Sequence, residues 1–237
     1  MVPDLPKVET VILEMTNAFR RNNDVGELRR EPLLDAAARA FARYLARSGK
    51  FSHTADGRQP ADRVSRAGYK FCQVAENLAL HRDSRGFTAK KLAGAAVRGW
   101  QGSPGHRKNM LAPHVVEIGI GVAKAPAINK YISVQLFGRP DALRYEFKIR
   151  NTTRVSVRYR FNTSSYTVPG RTEITHRVCL PGQLAFESDR RAAQNKRVVG
   201  SRFLTRSNDR FRLRRGASGR IVIDHLPETG TPSRAGR

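Results

Sequence analysis

Apolar residues recur at helical spacing through the first half of the chain. Val8, Ile12, Met15 and Phe19 mark one amphipathic helix over about 6–22. Leu34, Ala38, Phe41 and Leu45 repeat the pattern over 31–48, with Pro32 suited to a first helical turn and Gly49 to a stop. Residues 50–60 read as a loop, and a short helix ending near Gly68 follows it. Leu92, Ala96 and Trp100 predict another helix over about 88–101, with Thr88 as its N-cap. Stretches 116–123 and 130–137 have strand character on either side of a Pro-containing connection. Helices interleaved with a few strands predict a layered α+β domain rather than a bundle.

After Pro140 the period changes. Phe147 and Ile149, then Val155, Val157, Tyr159 and Phe161, alternate with Arg and polar residues as half-buried strands do. Pro169-Gly170 and Pro181-Gly182 punctuate further strands at 172–180 and 183–187, and 196–204 and 219–225 add two more. The pattern predicts a basic all-β domain over 141–226, either a sandwich or an open barrel. The last eleven residues, 227–237, are polar with Pro and Gly and read as a disordered tail.

Charge changes this picture most. The 237 residues carry a formal charge of +24, with +11 over 1–140 and +13 over the shorter remainder. Such a field draws a protein toward anionic surfaces, among them lipid head groups, acidic glycans and nucleic acid. Specific nucleic-acid recognition is disfavoured, because no helix-turn-helix, zinc-finger or aromatic-studded basic motif accompanies the charge. An Arg-rich composition serving solubility is the plainer reading. No apolar run reaches the roughly 18–20 residues that span a bilayer. The start, Met-Val-Pro-Asp-Leu-Pro, shows neither a basic n-region nor an apolar h-region, so no signal peptide is visible there. Two cysteines, Cys72 and Cys179, are too few for a disulfide framework. They read either as one bridge between the two domains or as two buried thiols, and the bridge is the expectation carried forward.

Four segments carry candidate chemistry: Thr16-Asn17-Ala18-Phe19-Arg20; Phe51-Ser52-His53; Ala75-Glu76-Asn77-Leu78-Ala79; and the run from Gly99-Trp100 through Ser103-Pro104-Gly105-His106 to Leu111, followed by Ile118-Gly119-Ile120-Gly121. In this order and spacing they resemble the bacterial branch of the CAP superfamily (cysteine-rich secretory, antigen 5, pathogenesis-related; SCP-like) over 5–140. The resemblance implies an α-β-α sandwich around an antiparallel sheet. It also implies a cleft lined by two His and two acidic residues and an extracytoplasmic location, periplasmic or secreted. By position His53, His106 and Glu76 match that cleft, while Ser103 stands where the second acid belongs. Ser103-Pro104 also fits a plain N-cap. Asn17, Arg20, Arg107 and Asn109 read as hydrogen-bonding ties of the fold. His81 and His114 match no cleft position, and His176 falls in an expected strand.

Two imidazoles, a carboxylate and an open position are the donor types of a zinc site, so His53, Glu76 and His106 are the candidate metal ligands. Without metal, Glu76 is the candidate general base on a bound water. The H-E-x-x-H arrangement is absent and the motif offers no strong nucleophile. The leading expectation is a non-enzymatic binding protein. Its cleft takes a divalent metal such as zinc or a small apolar ligand, and its β domain docks on anionic envelope or lipid surfaces. The alternatives are a hydrolase, protease-like or cell-wall-directed, using Glu76 with the His pair, and an interaction module with a vestigial cleft.

Overall fold

A computed structural model describes residues 1–126, 129–187 and 202–227, and in it the long helices begin where the sequence places caps. Asp4 accepts the Lys7 amide and starts α1 (Leu5–Arg21). Glu31 does the same for α2 (Pro32–Ser48), which stops at Gly49 in the left-handed conformation. Asp62 accepts the Gln59 amide at 3.0 Å at the head of α3 (Pro60–Arg66). Thr88 caps α4 (Ala89–Gly102) through the Lys91 amide. Ser103 then occupies the N-cap position of α5 (Pro104–Met110), with Pro104 in the first turn, but its hydroxyl makes no cap bond.

Contacts divide the chain into two units, Met1–Leu143 and Arg144–Arg237. In the first, four strands form one sheet: β1 (Arg29–Arg30), β2 (Phe71–Arg82), β3 (Glu117–Lys124) and β4 (Lys130–Pro140), in the order β1-β3-β4-β2. β1 runs parallel to β3, and the other pairs are antiparallel. Alternation along the strands sends side chains to opposite faces. Ile118, Ile120 and Val122 pack with Val8, Ile12 and Trp100 of α1 and α4, whereas Ile132, Val134 and Leu136 pack with Leu34, Phe41 and Val64 of α2 and α3. The result is the three-layer α-β-α arrangement.

Two details fix the sheet. Gly119 and Gly121 face α2, where a Cβ would run into the backbone of Leu34 and Ala38 respectively, so these glycines let the helix lie directly on β3. Beyond Ile118, β1 no longer accompanies β3. There the Ile120 amide donates to Asp35 at 2.8 Å and the Val122 amide to Glu9 at 3.2 Å. Arg30 and Arg39 pair with those buried acids.

The second unit is a sandwich of two four-stranded sheets. One is ordered β10 (Arg202–Leu204), β9 (Gln183–Phe186), β6 (Val157–Phe161), β7 (Ser164–Val168). The other is ordered β12 (Ile221–Leu226), β11 (Arg210–Arg215), β5 (Tyr145–Asn151), β8 (Thr172–Val178). Phe147, Ile149, Tyr159, Phe161, Leu184 and Phe211 fill one core between them. His176 donates to or accepts from the Tyr159 hydroxyl at 2.7 Å and stacks on Phe147. Burial raises the Tyr159 hydroxyl to about 12.

The long strand β2 corresponds to no predicted element, because its buried run Glu76, Asn77, Leu78 mixes polar with apolar and shows no period-two alternation. β7 and β11 were likewise not anticipated. Of the strand expected at 196–204 only 202–204 is described, and residues 228–237 of the expected tail lie outside the described residues. Neither cysteine is free: Cys72 and Cys179 are both disulfide-bonded.

The glycine contact yields a prediction. Gly121→Ala should cost about 3 kcal/mol, the upper end of typical overpacking, since backbone rather than a flexible side chain must move. Urea denaturation measures it, and a variant as stable as wild type would refute the packing account.

Candidate functional site

The site assembles around edge strand β2. Glu76 and Asn77 are consecutive, so their side chains leave opposite faces. Glu76 faces α3 and the loop before it; Asn77 faces α5. Glu76 is 5% exposed and both of its oxygens are engaged. Oε1 lies 2.8 Å from His53 Nδ1, and Oε2 accepts from an Arg63 Nη at 2.8 Å. Burial is the largest influence on this carboxyl and pushes it above the ordinary range, against the opposing pull of Arg63 and His53.

Arg63 is the residue that sequence reasoning missed. It is 8% exposed on α3. One Nη donates to Asp56 at 2.8 Å and to the Arg58 carbonyl at 2.9 Å; the other donates to the His53 carbonyl and to Glu76, both at 2.8 Å. Its guanidinium carbon sits 3.5 Å from the centre of the Phe41 ring, a cation–π geometry. Nε is buried with no hydrogen-bond partner among the described residues. The sequence carried no usable signal for it, because the burial of Glu76 that calls for a cation comes from β2, which the periodicity does not predict.

On the other face, Asn77 donates to the His106 carbonyl at 3.2 Å and to Gln135 at 3.1 Å, and Gln135 donates to Thr16 at 2.8 Å. Asn109 donates to the Glu76 carbonyl at 3.2 Å and to Asn77 at 2.9 Å. These bonds place α5, and so His106, by its backbone. Further out, Arg20 spans the carbonyls of Gly26, Met110 and Ala112 at 2.6, 2.7 and 3.1 Å, and Asn17 exchanges two bonds with Leu28. Arg107 reaches Asn23 at 3.1 Å. The structure therefore brings His53 onto Glu76, whereas no hydrogen bond joins the His106 ring to either among the described residues. The charge of His53 nonetheless reaches His106, which is held below the ordinary histidine range first by burial and then by that charge. Among the described residues Ser103 makes no side-chain hydrogen bond to the site, and His114 accepts from Arg139 through its carbonyl.

The donor set was weighed against a divalent ion. Among the described residues no group of three or more His, Cys, Asp or Glu is placed to hold a metal. Glu76 serves Arg63 and orients His53 through Nδ1, the role a carboxylate plays behind a ligand rather than as one. That leaves two imidazoles where structural or catalytic zinc takes at least three protein ligands. The carboxylate of the expected donor set is thus already engaged by Arg63 and His53.

This combination, with Glu76 behind His53 and His106 on the facing helix, sits within residues 13–137, which match the family model described as the cysteine-rich secretory protein family, CAP. The chain belongs to the CAP family. A Bacillus subtilis (strain 168) protein, YkwD, is 28% identical over 121 residues, 51% of this chain and 44% of that protein, so the match spans less than half of the relative's length. Among solved structures, an extracellular SCP-domain protein of Bacillus anthracis is 24% identical with a TM-score of 0.48, over 57% of this chain and 41% of its own. An outer surface protein of Borrelia burgdorferi is 22% identical with a TM-score of 0.49, over 56% and 92%. The CAP match ends before the second unit begins.

Two outcomes are expected of this geometry. Arg63→Ala removes the cation from two buried carboxylates and should cost about 3–5 kcal/mol in chemical denaturation; a loss below 1 kcal/mol would contradict the account. His106 binds its proton in the unfolded chain near pH 6.5 but in the folded chain only at lower pH. Its contribution is thus present above that value and lost as pH falls. The stability of His106→Asn, measured from pH 7.5 to 5, should fall less steeply than that of wild type, and equal slopes would refute the assignment.

Proposed function

We propose that this CAP protein is a non-enzymatic, extracytoplasmic binding protein that presents the His53–His106 cleft to a small ligand and holds to anionic envelope surfaces through its basic second unit. One observation carries the reading: the Glu76 carboxylate is buried, with one oxygen on His53 and the other on Arg63. A general base must be reached by the attacking water, and this carboxylate is buried, with each oxygen already holding one partner. A cleft whose polar groups are locked in advance suits binding, since less freedom is lost when a ligand arrives. The secretory description of the family supports the compartment, as do the disulfide-bonded cysteines, which persist in oxidising surroundings. No helix among the described residues is long and apolar enough to cross a membrane.

The surface reading rests on strand alternation in the second unit. β6 buries Val157, Tyr159 and Phe161 and exposes Arg158 and Arg160; β11 buries Phe211 and Leu213 and exposes Arg210, Arg212, Arg214 and Arg215. Arg212 and Arg214 share Asp224, whereas Arg158 and Arg160 face Thr167 and Ser165 across the ladder and have no ion pair among the described residues.

For the cleft, incubation with peptides and peptidoglycan should show no turnover beyond that of Glu76→Gln, and calorimetric zinc titration should give equal heats for wild type and His53→Ala/His106→Ala. Turnover abolished by Glu76→Gln would establish the hydrolase reading instead, and heat lost with the histidines would restore the metal site. For the surface, the full chain should bind phosphatidylglycerol vesicles at least tenfold more weakly when salt rises from 50 to 500 mM. Arg158→Gln/Arg160→Gln should bind more weakly at low salt. Salt-insensitive binding would sink the electrostatic reading.

A further inference from the structure

We propose that a concavity between α2 and α3, which shares Arg63 with the support of the cleft but none of the cleft's own residues, is a binding site for a small aromatic carboxylate. Its volume is about 420 Å³, within the range of small-molecule sites. His53, Glu76 and His106 do not line it.

The chemistry of the walls selects the guest. Ala36, Ala37 and Ala40 of α2 line one side, and because their side chains end at Cβ the wall is flat. The half-buried Tyr44 ring also lines the concavity, 10° from parallel to that of Phe41, which is itself buried beneath Arg63. A flat apolar body makes more contact with such a lining than a bent chain does, and this volume holds one or two fused rings.

The charged lining selects the head group. Arg47, Arg58, Arg63 and Arg66 contribute to it, against one acid, Asp56. Arg63 is answered by Glu76 and Asp56, and Arg58 lies near Asp56, so the positive excess of the lining rests on Arg47 and Arg66. Asp56 is already committed, at 2.8 Å from Arg63 and 3.7 Å from Arg58. Arg47 and Arg66 are exposed and have no ion pair among the described residues. Guanidinium forks match a carboxylate through two parallel hydrogen bonds. Arg63 beneath them stays committed to Asp56 and Glu76, so the guest's carboxylate falls to Arg47 and Arg66. An inorganic anion would satisfy the arginines and leave the apolar lining wet; a neutral ring would cover the lining and leave the arginines unanswered. An aryl carboxylate does both.

The test uses 2-naphthoate with the full chain in isothermal calorimetry, beside 2-naphthylmethanol, octanoate and inorganic phosphate. The Arg47→Gln/Arg66→Gln variant changes only exposed side chains, and its thermal melting confirms that it folds. Naphthoate should bind wild type at least tenfold more tightly than any of the other three, and at least tenfold more tightly than it binds the variant. Equal affinity for the variant would overturn the site. Octanoate binding as tightly as naphthoate would overturn the aromatic assignment, and phosphate doing so would reduce the pocket to a general anion trap and overturn the proposal.

Discussion

Burial of the Arg63 guanidinium is the constraint on which the cleft depends. A charge removed from water is tolerated only when its surroundings return what hydration supplied. Here the acceptors come from several places in the chain: the Asp56 carboxylate, the carbonyls of His53 and Arg58, and Glu76 on the sheet. Phe41 of α2 supplies the ring beneath. A loop with little regular structure between α2 and α3 is thereby pinned at three points, and His53 is carried to the edge of β2 as a result. The imidazole is positioned by a neighbouring helix rather than by its own segment.

The opposite side of β2 is organised differently. Asn77 is fully buried and joins Gln135, Asn109 and the His106 backbone, and Thr16 closes the chain of bonds. Each of these amides places a donor or acceptor where the core would otherwise hold an orphan, and such networks specify one arrangement because a partial one is costly. The two histidines therefore reach the same edge by independent supports, an ion-paired arginine on one face and an amide network on the other. Disturbing one support need not disturb the second.

Much of this was legible in advance. The helices of the first unit and strands β3 and β4 follow from periodicity and from caps such as Thr88 and Gly49, which act locally. The order of the His53, Glu76 and His106 segments was readable as the CAP pattern. Illegible features were those whose cause lies elsewhere in the chain. β2 hides because its buried run, Glu76-Asn77-Leu78, is polar at two of three positions, and the burial of Asn77 makes sense only beside Gln135 and Asn109. Arg63 looks like one more surface arginine among many in a chain of +24. The donor types of a metal site were visible, but their commitments were not, since Glu76 could be seen to serve Arg63 only once the two were adjacent.

The carboxylates of Glu9 and Asp35 have a meaning beyond the ion pairs they form with Arg30 and Arg39. Where β1 ends, β3 would expose a row of unanswered amides, the usual template for a stray strand from another molecule. Asp35 and Glu9 occupy the amides of Ile120 and Val122 instead. An incoming chain would have to expel two anions locked by arginines before pairing there. The sheet thus carries its own guard against edge-to-edge aggregation.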